Sequence, residues 1–482
     1  MRGQDQALPD PARAPLWRLR EEDGFCWTRL QAAGPGVGKP GVETTRSLSF
    51  SSRYGLDGLR GLQGEAWALF AIRTLNSFGF SMAMPFFGLY LLEVRGINLA
   101  ATGAVYFAAG VFTLLSRLVG GRLTDAAGPR RVMLAGYYAS IVASVVLGFM
   151  VLDNSPAIYF FVSYPLFSFL RGLSHPATGS IIAGQPVNQI RSGYNLLTIG
   201  GNLGFAIGPA LGGPITDAYG YAIVFFISAV MIVPVILLTA FRISGGVRAS
   251  EDASEGPSRR LLSWKEDRNI IGFLFLAAGL FFAVGYEIQP LALYVAYFLH
   301  FTNTEIGYLF ATKGGVIVLL QLPLINMVQR ARTLVLPLLI SPLLLVASFL
   351  MAGLSTGFLQ YEAVMVVLTL GEVMATVPSQ TVMALFSKSG NRGTYQGYYY
   401  AATSSGRSTA AAVGPASFEL LSSAPAWGWY SLAAVVMLIF LGFVLIGPRI
   451  QRDYESMSGG RVTATPAGPE TPPSAKLVSS PA

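Results

Sequence analysis

Six charged side chains stand inside apolar stretches of this sequence: Arg73, Arg171, Glu287, Lys313, Glu372 and Arg407. A charge at bilayer depth costs at least a few kcal/mol unless paired or hydrated, so each of these is an ion-pair member or part of a polar path. The chemistry open to them is narrow. Desolvation strengthens a carboxylate's hold on its proton, and an approaching arginine or lysine weakens it. A carboxylate that alternates between those settings can load a proton on one side and release it on the other. Glu287 and Glu372 are the candidates, Glu287 first because Tyr286 and Gln289 flank it. Four bases against two acids leave an excess of positive charge that suits an anionic or zwitterionic ligand. Phe80, Tyr286, Gln289 and Tyr399 lie near these charges and could add stacking or hydrogen bonds in a cavity. Core packing is the plainer reading for most of them.

Other chemistries find little support. Two histidines and one cysteine, Cys26, leave scant material for a metal site, and neither a metal nor a cofactor is expected. Neither H-E-x-x-H nor G-x-S-x-G occurs, which argues against a membrane-embedded hydrolase. The net charge of +8 sits between apolar runs and not on one patch, so no nucleic-acid partner is expected.

The elements that must hold these charges are long and apolar. Hydrophobic residues make up 52% and charged residues 12% of the chain, and the mean hydropathy is +0.53. Soluble domains carry roughly twice that charge. Twelve membrane-spanning helices are predicted at 66–94, 98–120, 130–152, 156–183, 192–216 and 220–241, then 268–299, 304–328, 333–355, 359–386, 393–421 and 424–447. The fold class is therefore an all-α membrane protein of two six-helix bundles, 65–241 and 268–447. A polar cytoplasmic linker is expected over 242–267, with disordered cytoplasmic tails over 1–64 and 448–482. Loops after even-numbered spans hold Arg122, Arg130, Arg131, Arg191, Arg242, Arg330 and Lys388, among others, whereas loops after odd-numbered spans hold Arg95 and little else. Both termini are thus expected in the cytoplasm. The halves repeat one another: Gly200, Gly204, Gly208 and Pro209 correspond to Gly406, Ala410, Gly414 and Pro415. Two repeated halves with a site at their interface are what alternating access requires.

Two glycine-bearing segments carry more information. The first is Gly120-Gly121-Arg122-Leu123-Thr124-Asp125-Ala126-Ala127-Gly128-Pro129-Arg130-Arg131. Its glycines would allow a tight turn between packed helices, and its acid could sit against a helix N-terminus. This stretch resembles the cytoplasmic loop signature of the major facilitator superfamily, G-x-L-x-D-x-x-G followed by basic residues. The resemblance implies a conformational latch formed by Gly121, Asp125, Gly128, Arg130 and Arg131. Ala126 and Pro129 stand where the family carries basic residues. The second segment, in the fifth span, places glycines at 200, 204, 208 and 212 along one helix face, where another helix can approach closely. Gly204, Gly208, Pro209, Gly212 and Gly213 resemble the motif of the superfamily's antiporters.

The resemblance runs from about Ala66 to Ile446 and is strongest to the drug-proton antiporter branch. It implies a plasma-membrane exporter of small organic molecules driven by protons, working as a monomer in the lipid bilayer. The basic excess keeps open a proton-linked uptake carrier for an anionic or zwitterionic metabolite. An enzyme or receptor would not need two matched halves.

Overall fold

The structure, a computed structural model, describes Leu62 and residues 64–244, 267–330, 335–386 and 392–462. Cys26, most of both expected tails and most of the expected linker lie outside the described residues. All twelve predicted spans are present, and no strand occurs among the described residues. The first half contains α1 (Gly64–Leu89, continued by a π-turn over Tyr90–Val94), α2 (Leu99–Ala127), α3 (Pro129–Leu152), α4 (Ala157–Gly172), α5 (His175–Ala183), α6 (Val187–Tyr219) and α7 (Ile223–Arg242). The second contains α8 (Arg268–Gly285), α9 (Gln289–Leu299), α10 (Asn303–Arg330), α11 (Val335–Leu354), α12 (Phe358–Phe386), α13 (Arg392–Leu420) and α14 (Ala426–Val462).

Three expectations need correction. The fourth and seventh spans are not continuous: α4 and α5 form one broken segment, α8 and α9 the other. Pro176 and Pro290 stand in the first turn of the restarted helices, where a missing N–H is harmless but a continuous helix would lose a hydrogen bond. The latch segment is not a loop. Helix α2 continues through Gly121 and Asp125 to Ala127, and only Gly128, at φ +85°, makes the turn. Pro129, the departure from the family pattern, starts α3, where its fixed φ suits the helix. Finally, α14 passes Pro448 and runs to Val462. Proline removes one hydrogen bond, and Arg449, Gln451 and Arg452 just after it are good helix formers that need no lipid.

Among the described residues ten segments are long and apolar enough to cross a bilayer by themselves. The exceptions are α10, which carries Lys313, and α13, which carries Arg407 with several serines, threonines and tyrosines. Both pack between protein neighbours, so their polar faces need not meet lipid. Helix α6 lies between α1 of its own half and α10 of the other; α13 lies between α8 and α2 in the same manner.

Glycines set both seams. A Cβ on Gly204, Gly208 or Gly212 would lie 2.3 Å from Thr74 O, 2.0 Å from Ser81 Oγ or 2.5 Å from Met82 O of α1, so α1 seats in the groove of α6. Across the halves, Gly307 and Gly314 of α10 give room to Pro209 and Ala206 of α6. Gly103 and Gly110 of α2 do the same for Ala411 and Ser408 of α13. The two seams are related by the internal repeat.

Hydrogen bonds join the halves at the end of the bundle that carries the loops after odd-numbered spans. Asp217 accepts from Asn303 Nδ2 at 2.8 Å and from Thr304 N at 2.8 Å, while Glu419 accepts from Ala100 N at 2.7 Å. The apolar core differs between halves. In the second half it forms one continuous cluster, whereas in the first it splits into two, one around Phe87 and Phe160 and one around Leu69 and Met133. Along the chain Arg73 and Asn76 fall between Ile72 and Met82, and Arg171 between Phe167 and Ala177, members of the two clusters.

Candidate substrate and ion site

Glu287 sits in the break between α8 and α9, where Tyr286, Glu287 and Ile288 leave helical geometry. Interrupted helices near the middle of a span are where membrane carriers place ion and substrate groups. Lys313 of α10, Glu372 of α12 and Arg407 of α13 converge on it. Lys313 Nζ contacts Glu287 Oε1 and lies 3.3 Å from Glu372 Oε2. Arg407 reaches Glu287 Oε1 at 3.4 Å and Glu372 Oε1 at 2.8 Å. The result is a closed, electrically neutral ring drawn from four segments. Glu287 is fully buried (0% exposed) and Lys313 nearly so (4%), whereas Glu372 is 13% and Arg407 33% exposed. The second pair is therefore the more exposed side of the ring. Lys313 also lies 5.7 Å from the Phe205 ring of α6, a cation–π contact that ties the ring to the other half. Arg407 lies 5.1 Å from the ring of Phe281.

The first half presents a different electrostatic surface. Arg73 of α1 donates to His175 Nε2 at 2.8 Å, and Gly201 of α6 leaves space for its guanidinium. Arg171, at the end of α4, donates to Asn76 O at 2.8 Å and to its Oδ1 at 3.0 Å. Its guanidinium rests 4.6 Å from the ring centre of Phe80 and 5.8 Å from that of Phe167. His175 is exposed and not packed away, because it opens α5 just after the break.

Of the residues singled out from sequence, the structure brings Glu287, Lys313, Glu372 and Arg407 together, and separately Arg73, Phe80 and Arg171. Tyr286 and Tyr399 are both buried. Tyr286 packs among Phe282, Phe349, Phe418 and Trp429, and Tyr399 is buried against Phe281. Both are walls behind the ring. Gln289 is half-buried at the start of α9. In the latch segment Asp125 is exposed, and Arg130 bonds the carbonyl of Ala240 in its own half. Gly121 faces open space; the sterically constrained glycine is its neighbour Gly120, whose Cβ would lie 2.5 Å from Leu173 O in the fourth-span break. Sequence reasoning missed Asn76, Arg117 and Phe205. Arg117 carried a usable signal, a charge within the second span, but ending that span at 120 placed it too near the surface. A separate cleft of about 480 Å³ between α8, α13 and α14, lined by Phe275, Phe282 and Leu438, contains no charged side chain and opens where Phe275 is exposed.

Paired six-segment bundles, interrupted helices and charge at their centre define a membrane transporter of the two-bundle type. The sequence profile of the Major Facilitator Superfamily matches residues 69–411, and the chain belongs to that family. It is 23% identical over 340 residues to the uncharacterized MFS-type transporter YttB of Bacillus subtilis (strain 168), covering 69% of this chain and 83% of that one. It is 27% identical over 227 residues to the multidrug resistance protein MdtG of Proteus mirabilis (strain HI4320), covering 46% of this chain and 55%, about half, of that protein. A solved POT family transporter in complex with 5-aminolevulinic acid superposes with a TM-score of 0.66 at 15% identity, over 80% of this chain and 96% of that one. The nucleoside transporter NupG superposes at 0.63 and 14% identity, over 80% and 100%. At such identities these two likenesses speak for the fold alone.

Proposed function

We propose that the protein is a proton-coupled exporter of small organic molecules, acting as a monomer in the plasma membrane with both termini cytoplasmic. The observation that carries this reading is the buried ring of Glu287, Lys313, Glu372 and Arg407. Two of its members lie on the seam helices, α10 and α13, and the other two on α12 and in the α8–α9 break. A proton on Glu287 removes one negative charge, leaves two cations facing one carboxylate and loosens the hold on Lys313 and Arg407. The seams can then shift, and loss of the proton restores the ring. Proton occupancy is thereby linked to which way the cleft faces. Glu287 is the carrier in this scheme, with Glu372 and Arg407 on the more exposed side of the ring. The multidrug resistance relatives support export, and the arginine-rich loops after even-numbered spans support the orientation. In that orientation the bonds between Asp217 and Thr304 and between Glu419 and Ala100 close the outer end, so this form faces inward.

The test is transport in proteoliposomes, comparing proton-gradient-driven accumulation with substrate counterflow. Glu287→Gln is expected to lose the driven mode and keep counterflow. Gradient-driven accumulation at wild-type level in both Glu287→Gln and Glu372→Gln would remove the ring from the coupling mechanism.

A further inference from the structure

The ring neutralises every deep charge of the second half, which leaves the cations of the first half without a counter-charge. Arg73 holds His175, and Arg171 holds Asn76, which stands three residues after Arg73 on α1, so these groups share one locality, with Arg117 of α2 acting on the same histidine. Among the described residues no carboxylate is ion-paired with any of the three arginines. Among the described residues Arg73 has only the histidine nitrogen as its side-chain partner, and Arg171 has the backbone and side-chain oxygens of Asn76. Arg171 Nη1 is buried with no acceptor. An unmet buried guanidinium donor beside like charges carries a free-energy penalty that an anion would remove. Beneath it, Phe80 and Phe167 stack with ring centres 6.5 Å apart and give an apolar floor.

We infer that this pocket holds the acidic end of an amphipathic organic acid, its carboxylate between Arg171 and the Arg73–His175 pair and its apolar body over Phe80. The transported substrate is then an organic anion. The planar guanidinium fork suits a carboxylate's two oxygens, and three guanidiniums disfavour a lipophilic cation. The neutral ring across the cleft adds no net charge to oppose the anion. This inference rests on the reading of the cleft as the transport path, but it does not depend on proton coupling.

Full-length protein in lipid nanodiscs, with no gradient, is titrated with naphthalene-2-carboxylate, its neutral isostere naphthalene-2-carboxamide and 2-naphthylmethylammonium. Binding is read by ligand fluorescence anisotropy. The carboxylate is expected to bind about tenfold or more tighter than the amide, with the ammonium weakest. Arg171→Gln should abolish the preference. His175→Glu should do so too while keeping every arginine, because it sets a carboxylate beside Arg73 in the first turn of α5, where an acid suits the helix. Size-exclusion profiles matching wild type identify folded variants. Equal affinity for carboxylate and amide, no carboxylate binding at millimolar concentration, or an unchanged preference in both variants would overturn the assignment. Failure of Glu287→Gln to uncouple transport leaves it standing. Loss of the carboxylate preference in a protein that still couples to protons sinks this inference alone.

Discussion

Asp217 in the last turns of α6 accepts two hydrogen bonds from Thr304 in the first turn of α10, from the backbone N–H at 2.8 Å and from the hydroxyl at 2.6 Å. Glu419, near the end of α13, does the same for the first turn of α2 through Ala100 N at 2.7 Å. Each acid thus caps the start of a helix in the opposite half, on two seams related by the internal repeat. Helix N-termini attract negative charge, with about 0.3–1 kcal/mol at exposed sites and up to about 2 kcal/mol in favourable geometry.

Removing both caps should therefore release the closed outer end. Losing about 1 kcal/mol at each shifts a two-state equilibrium by roughly thirtyfold in total. The expected outcome for Asp217→Ala with Glu419→Gln is a larger outward-open population. Spin labels on Tyr219→Cys and Leu420→Cys, with Cys26→Ser, report the distance across that end; both positions are exposed. A distance distribution identical to that of the labelled parent would show that the caps do not hold the gate.

The glycines of the α2–α3 region separate by environment. A Cβ at Gly120 would press on Leu173 O at 2.5 Å, whereas one at Gly121 meets nothing within 4 Å. Gly120→Ala should lower the thermal midpoint by several degrees. Gly121→Ala should leave it unchanged or raise it, because alanine exceeds glycine in a helix interior by about 1 kcal/mol. Thermal unfolding monitored by size-exclusion fluorescence distinguishes the two, and equal destabilisation would contradict the packing described.

That contrast also shows what could be read from the sequence. The spans were legible because bilayer length imposes about 20 apolar residues, and the repeat was legible because glycine spacing survives in both halves. The types of the ring residues stood out as charges in apolar runs, and a Glu372–Lys313 pair could be anticipated. The closure of the ring could not, because it depends on the helix break that turns Glu287 toward α10, α12 and α13. Pro176 and Pro290 were visible, yet proline also occurs inside unbroken helices here, such as Pro209 and Pro214 of α6. Asn76 and Asp217 gave no signal, since ordinary polar residues acquire meaning only from a partner far away in the chain. Glu419 reads in the sequence as an ordinary acid near a span end, and its value comes from Ala100, 319 residues away.

The last prediction concerns Asp125. In this form its carboxylate is exposed on the last turn of α2, and its own half supplies the neighbouring contacts, including the bond from Arg130 to Ala240 O. The family resemblance assigns the acid a latch role, and a latch must act where the two halves close at the cytoplasmic end. On the proposed orientation its contribution then belongs to the outward-facing form and not to the form seen here. Two consequences follow that a merely structural residue would not give together. Asp125→Asn should leave the thermal midpoint of the inward-facing protein within about 1 °C of wild type, since a surface substitution without a contact changes little. Transport should slow, by up to roughly thirtyfold, because losing as much as about 2 kcal/mol from one conformer displaces the cycle's equilibrium. Initial transport rates in proteoliposomes, normalised to folded protein, read the second effect, and the label pair at Tyr219 and Leu420 reads the displacement directly. Asp125→Asn should move that distance toward the inward-facing value, opposite to the double cap variant. A wild-type rate in well-folded Asp125→Asn would remove the latch from this chain and leave the α2–α3 segment a helix junction built on Gly120, Gly128 and Pro129.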